Sequence, residues 1–367
     1  MCNTCGTLSN DNLLSPSLVA FNPGYNFHLP KNQKLEETNQ PTMTPKPRTL
    51  LLTLDAFETL FHPRPSVPEQ YVSAAHHFGL PKTAITAERV FAAFKPAFKA
   101  QSKARPNYGR DDVIRGHYGG PRQWWGEIIR GTFSQVLAEQ QYHNNNRTTN
   151  HNNDNNDSGG QVDLPEGLVG YLLDRFASKE GYALYDDVGP FFSRIRAVKE
   201  SGARLGPFDR VVIGVVSNSD DRVPAVLKSL GLRVGDCRAD EGVDSMRLSG
   251  FEERSSSGVV VEGSAVNGGV NDVDLVVTSY EAGVEKPSPR IFEVTRRQAK
   301  ALAPGDDLGD WTCVHVGDDL EKDYRAAVGA GWHGYFLARG DDARSGHGDA
   351  NVIRSLVDLV PLLEAYH

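Results

Sequence analysis

Asp55 closes the apolar part of LLLTLDAFETLF, residues 50 to 61, and a Thr-Leu pair follows four residues later. An aspartate at the end of a buried strand can act as a nucleophile. Phosphoryl-transfer chemistry of this kind wants a second carboxylate two residues on, to carry the proton; here that position is Phe57. Three more polar clusters end or follow apolar runs: Ser217-Asn218 in VVIGVVSN, Lys286 in EAGVEKPSPR, and Gly317-Asp318-Asp319 with Asp323 in TCVHVGDDLEKD. Singly, each has a plainer use. A Ser-Asn pair makes turns and caps, a lysine before proline sits on surfaces, and paired aspartates complement a helix dipole. Together they suit one chemical plan. A carboxylate attacks phosphorus, a hydroxyl and a lysine hold the non-bridging oxygens, and further carboxylates hold Mg²⁺, a cation that takes oxygen ligands. The lysine also offsets repulsion among the aspartates.

Such a plan needs elements that bring four distant clusters to one place. TLLLTL, from Thr49 to Leu54, is apolar enough for a strand buried on both faces. VPEQYVSAAHHFGL, TAERVFAAFKPAFKAQ and LPEGLVGYLLDRFAS carry apolar residues at helical spacings of three and four. After Tyr185 the pattern alternates. FFSRIRAVKESG reads as a helix closed by glycine, VVIGVVSN as a strand, and DRVPAVLKSLGL as a helix capped by Asp220. DLVVTS follows as a strand, PSPRIFEVTRRQAKAL as a helix, TCVHVGDD as a strand and turn, and EKDYRAAVGAG as a helix. GYFL reads as the last strand and VIRSLVDLVPLLEAY as a closing helix. Alternation of this kind predicts a parallel sheet covered on both faces. Ligands then bind beyond the carboxyl ends of its strands, where the four clusters fall.

The chain has 367 residues, 39% hydrophobic and 23% charged, as an ordinary globular protein would. No apolar run approaches the ~18 residues of a membrane helix, and MCNTCGTLSNDNLL is not a secretory signal. Cytoplasm or nucleus is the expected location. Cys2, Cys5, Cys237 and Cys313 are too scattered for a disulfide framework, and the Cys2/Cys5 spacing lacks the second pair that zinc needs. The net charge of −8 argues against general nucleic-acid binding. Between His62 and Arg130, however, eleven Lys/Arg face five Asp/Glu, an excess of six that is either a solvated helical face or a surface favouring anions. Residues 1 to 46 read as a mostly disordered extension, and an alternative start at Met43 would cost little structure. HNNNRTTNHNNDNNDSGG, residues 143 to 160, and the Gly, Ser and acid-rich residues 235 to 272 read as insertions. The sequon Asn146-Arg147-Thr148 carries no weight without a secretory signal.

These residues, in this order, resemble the haloacid dehalogenase superfamily over roughly residues 48 to 61 and 185 to 340. The resemblance implies a Rossmann-like α/β fold with an inserted helical cap. The core would comprise residues 47 to 61 and 186 to 367, and the cap residues 62 to 185. It also implies Asp55 as nucleophile, Lys286 as the catalytic lysine, Ser217 with Asn218 as phosphate ligands, and Asp55, Asp318 and Asp323 as metal carboxylates. Asp319 would be a possible addition, and the backbone carbonyl of Phe57 could still ligate Mg²⁺. PNYG and RQWW, within QSKARPNYGRDDVIRGHYGGPRQWWGEIIRGTF, look like the narrower haloacid dehalogenase-like hydrolase domain-containing protein 3, or rhythmically expressed gene 2-like, family. TSYEAGVEKPSPRIF and HVGDDLEKDYRAAVGAG extend that likeness into the core. Trp124 and Trp125 are expected to pack cap against core rather than stack on substrate.

Phe57 departs from the superfamily's phosphatases, in which that position is the general acid and base. Such a group contributes about 10²- to 10⁴-fold in rate. Its loss should matter most for alkoxide leaving groups and least for aryl or acyl phosphates. Glu58 is adjacent, but neighbours in an extended segment point to opposite sides. The superfamily's 2-haloacid dehalogenases also carry an aromatic residue here, though their last motif generally lacks the Gly-Asp pair that this chain keeps. The leading expectation is therefore a Mg²⁺-dependent phosphatase-like hydrolase of narrow or weak activity on small phosphorylated molecules. A non-catalytic ligand- or partner-binding protein and a 2-haloacid dehalogenase are the alternatives.

Overall fold

The structure, a computed structural model, describes residues 48–148, 163–239, 248–251, 269–307, 309, 311–339 and 348–366. The N-terminal extension, Cys2, Cys5 and most of the two insertions lie outside the described residues. TLLLTL forms strand β1 (Thr49–Leu54), buried at every position. Burying each leucine contributes roughly 1.5–3 kcal/mol, so only the centre of a sheet suits this segment.

After the turn at residues 55–60, β2 (Phe61–Pro63) leads out into helices α1 (Val67–His77), α2 (Ala87–Ala104), α3 (Arg110–Ile114), α4 (Gly120–Thr148) and α5 (Leu168–Arg175). Strand β3 (Tyr182–Leu184) returns antiparallel to β2, so the inserted helices leave and rejoin the chain through a two-stranded neck. Thr86 starts α2 by accepting the Arg89 N–H on its hydroxyl. Helix α4 runs on into the Asn-rich tract as far as Thr148, where a loop was expected.

The rest alternates. It comprises α6 (Val188–Ser201), β4 (Arg210–Ser217), α7 (Val223–Ser229), β5 (Val234–Arg238), β6 (Val273–Thr278), α8 (Ser279–Ala282), α9 (Arg290–Ala301), β7 (Trp311–Gly317), α10 (Ala326–Gly329), β8 (His333–Leu337), β9 (Val352–Ile353) and α11 (Leu359–Glu364). The seven strands run in the order β5-β6-β4-β1-β7-β8-β9, with every neighbouring pair parallel. This is the expected Rossmann-like α/β sheet with helices on its faces. Helix α9 shows how a face is covered: Ile291, Phe292, Val294, Thr295 and Ala299 turn inward while the charged positions between them do not. Gly202 ends α6 at φ +65°, a conformation that favours glycine.

Three further sequence expectations are corrected. Residues 235–238 belong to β5, at the sheet edge, and not to an insertion; a lone Val234 before Gly-Asp-Cys-Arg gives no periodic signal. The closing segment begins as strand β9 and becomes helical only at Leu356, because Val352-Ile353 pair with Phe336-Leu337. Asp220 does not cap α7, whose first turn lacks a side-chain cap. Its carboxylate is engaged elsewhere. Among the described residues, no helix is long and apolar enough to cross a membrane.

Candidate active site

Strands β4, β1 and β7 lie side by side and end level with one another. Leu54 is in register with Val215 on one side and Val316 on the other, so the following residues share one rim of the sheet. The Asp55 N–H donates to the Val316 carbonyl at 2.9 Å, which fixes the backbone where the strand stops. The structure brings Asp55, Ser217, Lys286, Asp318 and Asp323 to a cavity of about 340 Å³ at that rim.

Lys286 is its hub. Its ammonium, 2% exposed, donates to Asp55 Oδ1 at 2.8 Å, to Asp323 Oδ1 at 2.5 Å and to the Val216 carbonyl at 2.9 Å. Burial alone would lower the lysine's pKa, but the two carboxylates outweigh it and keep the ammonium charged. Asn218 positions this residue: its side-chain carbonyl accepts the Lys286 N–H and its amide donates to the Lys286 carbonyl, each at 2.7 Å. Expected as a phosphate ligand, the Asn218 side chain has its carbonyl and one N–H committed to that backbone. The Ser217 hydroxyl, in contrast, has no hydrogen-bond partner among the described residues and lines the cavity.

The carboxylates divide by environment. Asp323 sits in a wide π-helical turn over Leu320–Arg325 and is 1% exposed. Burial raises its pKa, but Lys286 and a hydrogen bond to His315 outweigh that and hold it below the usual range. A Cβ on Gly317 would lie 2.2 Å from the Asp323 carboxyl carbon, so only glycine lets that side chain fold back beneath the rim. Asp318 accepts from Thr59 Oγ at 2.9 Å. Burial, followed by the Asp55 charge, pushes the Asp318 carboxyl up to about 7. Asp55 is likewise raised by burial, against the pull of Lys286.

One carboxylate oxygen from each of Asp55, Asp318 and Asp323 lies within 4.8 Å of the others. Three hard oxygen donors, two of them with pKa values raised by burial first and by neighbouring carboxylates second, fit Mg²⁺ with water completing its shell. Asp319 does not join them. Its Oδ1 accepts the Glu321 and Lys322 N–H groups at 3.0 and 2.9 Å, capping the turn that carries Asp323.

Sequence reasoning missed several contributors. His315 is fully buried, with Nδ1 2.8 Å from Thr53 Oγ and Nε2 3.2 Å from Asp323 Oδ1. Its strand register opposite Thr53 sets this up, and burial favours the neutral imidazole. The only available signal was a histidine inside an otherwise apolar strand. Thr59, the threonine of the Thr-Leu pair, had no expected role. From the inserted helices, Asn107 exchanges hydrogen bonds with Ser279, while Tyr108 lines the cavity. Both residues have positive φ, 46° and 61°, uncommon for residues with side chains and found where surrounding structure enforces it.

The two tryptophans separate. Trp124 is buried among the inserted helices and donates to the Arg105 carbonyl. Trp125 crosses to the core, where its indole N–H donates to Asp220 Oδ2 at 2.7 Å. Asp220 also accepts the Arg222 N–H and pairs with its guanidinium, which stands 4.5 Å from the Trp125 ring. Glu58, at φ 57°, lines the cavity but accepts the Tyr185 hydroxyl at 2.6 Å.

No family model matches the chain. It is 26% identical to haloacid dehalogenase-like hydrolase domain-containing protein 3 of Mus musculus over 318 residues, covering 86% of this chain and 93% of that protein. The Bos taurus protein of the same description is 26% identical over 288 residues, covering 78% and 81%. The rhythmically expressed gene 2 protein of Drosophila melanogaster is 22% identical, covering 78% and 82%. The chain is thus similar to several proteins described as haloacid dehalogenase-like hydrolases. Similar solved structures include a haloacid dehalogenase-like phosphatase from Thermococcus onnurineus (18% identity, TM-score 0.40, 86% of this chain and 97% of that one). A 2-haloacid dehalogenase from Pseudomonas syringae is also similar (16% identity, TM-score 0.43, 86% and 98%). The structure thus gathers Asp55, Ser217, Lys286, Asp318 and Asp323 at one rim, while Asn218 holds the Lys286 backbone, Asp319 caps its own turn and residue 57 is a phenylalanine.

Proposed function

We propose that this protein is a Mg²⁺-dependent, phosphatase-like hydrolase acting through phospho-Asp55 on small phosphorylated molecules. The observation that carries the reading is the Lys286 ammonium held between Asp55 and Asp323, with Asp318 beside them, at the mouth of a cavity at the strand ends. An Asp55 oxygen attacks phosphorus, the bond to the leaving oxygen breaks, and its electron pair stays on that oxygen. Water then attacks phosphorus, the Asp55 oxygen–phosphorus bond breaks with its electron pair returning to the carboxylate, and the water's proton leaves with the phosphate or passes to solvent. Ser217 Oγ and the Lys286 ammonium hold non-bridging oxygens through both steps. Bound Mg²⁺ would neutralise phosphoryl charge, held by Asp55, Asp318, Asp323 and the Phe57 carbonyl. Trp125 and Asn107 fasten the inserted helices over the site as a cap, which excludes competing water.

Phe57 carries no proton, and Glu58 is engaged by Tyr185. Activity is therefore narrow, favouring leaving groups that depart as stable anions. The test is turnover of p-nitrophenyl phosphate and acetyl phosphate with Mg²⁺, compared with Asp55→Asn. Turnover that disappears in the variant is expected. Turnover unchanged in Asp55→Asn, or none in the wild type, contradicts the reading and, in the second case, favours a binding protein. Phe57 favours a second reading, attack on the carbon of a 2-haloacid. That reading requires metal-independent chloride release from 2-chloropropionate.

A further inference from the structure

A second cavity of about 260 Å³ adjoins the polar one, and Phe57, Phe98, Trp125 and Arg222 line both. Its remaining wall is mainly apolar and includes the aromatic residues Tyr71, Phe94, Phe176 and Tyr182 from the inserted helices and the neck. Among the described residues, Arg222 is the one charged residue lining it. The residue is 5% exposed, and its guanidinium lies 5.7 Å from the Phe57 ring and pairs with Asp220 through Nε. Among the described residues its terminal nitrogens have no hydrogen-bond partner. An apolar cavity of about 150 Å³ accepts benzene, so this one has room for one or two fused rings.

We propose that the aromatic cavity holds the leaving group, and that the substrates are small aryl phosphates. The inference rests on the phosphatase reading above and names its substrate class. Two independent observations meet here. The cavity is shaped and lined for a ring, and the residue at its junction with the polar site is Phe57, which cannot protonate a departing oxygen. A phenol has a pKa of about 10, against about 16 for water, so its oxygen leaves without a proton. As the Asp55 oxygen–phosphorus bond forms, the phosphorus–aryl oxygen bond breaks and its electron pair stays on the phenolate. The phenolate takes a proton from solvent after release. Arg222, a fixed cation on the same wall, complements that developing charge and offers its face to the ring.

The experiment measures kcat/KM for 1-naphthyl phosphate and acetyl phosphate in the wild type, Ile129→Phe and Val67→Phe. Both positions line the aromatic cavity, on different helices, so a larger side chain at either should reduce its free volume. The ratio of naphthyl to acetyl phosphate should fall about tenfold or more in the filled variants, the scale of steric exclusion from an apolar pocket. A ratio within about twofold of the wild type in any variant that still hydrolyses acetyl phosphate overturns the assignment. Should Ile129→Phe fail to fold, Val67→Phe reads the same ratio. A wild type that hydrolyses acetyl phosphate through Asp55 but rejects 1-naphthyl phosphate overturns the aryl assignment and leaves the phosphatase reading standing. Failure on both substrates overturns the two together.

Discussion

Replacing Phe57 with aspartate puts a proton carrier where the chain has none. The Phe57 ring packs edge-on against Phe61 at 4.8 Å and Tyr182 at 5.7 Å, and it lines both cavities. Removing a fully buried phenylalanine costs about 3–5 kcal/mol. Phe57 is only half-buried, so the Phe57→Asp variant should lose about 1–3 kcal/mol of stability, seen as a lower urea midpoint. Against that stands the chemistry. A positioned acid contributes about 10²-fold or more, or about 2.7 kcal/mol of barrier at 10²-fold, where the leaving oxygen must be protonated. It contributes little where the oxygen leaves as a stable anion. The assay is kcat/KM for a series of phosphate monoesters running from nitrophenols to alkyl alcohols. In the wild type, log(kcat/KM) should fall steeply as the leaving group becomes more basic. In Phe57→Asp the slope should flatten, with alkyl phosphates gaining about 10²-fold and aryl phosphates much less. An unchanged slope in a folded variant, or an equal gain at both ends, refutes the claim that proton transfer is the missing step.

Lys286→Met strands two buried carboxylates and should cost about 3–5 kcal/mol in urea unfolding; a loss below about 1 kcal/mol would mean that the lysine's ion pairs do not organise the site. Mg²⁺ should raise the wild-type melting temperature, by an amount equivalent to about 2.7 kcal/mol at 100 times its Kd, and Asp318→Asn should abolish most of that rise. Equal stabilisation of the two proteins would place the cation elsewhere. Trp125→Phe removes a 2.7 Å hydrogen bond to a carboxylate and should cost about 1.5–3 kcal/mol. Trp124→Phe, which loses a bond to a neutral carbonyl, should cost about 1 kcal/mol from that bond. The reverse order would contradict the role of Trp125 as the tie between inserted helices and core.

The parts of the fold that were legible are those whose side chains all face protein. Strands β1, β4, β6 and β7 occupy the sheet interior, and their mainly apolar sequences, broken by single residues such as Thr53, Gly214, Asp274 and His315, announce it. Strand β5 lies at an edge and reads Val-Gly-Asp-Cys-Arg, while β9 is two residues long; neither has a pattern to detect. The site was legible to the extent that polar clusters follow those interior strands. Division of labour within the clusters was not. Asp318 and Asp319 are neighbours, yet one faces the other carboxylates and one caps its own turn, a difference set by backbone direction at the rim. Asn218 and Ser217 diverge in the same way. His315 supports Asp323 from inside a strand, and Arg222 reaches the site through tertiary contacts that spacing does not encode.

Trapping the covalent intermediate tests the central claim most directly. The full chain, mixed with acetyl phosphate and Mg²⁺ and quenched in acid within milliseconds, should carry one phosphoryl group per molecule, mapped by peptide mass spectrometry to Asp55 and absent from Asp55→Asn. Steady turnover without label at Asp55, or label that persists in Asp55→Asn, would contradict it.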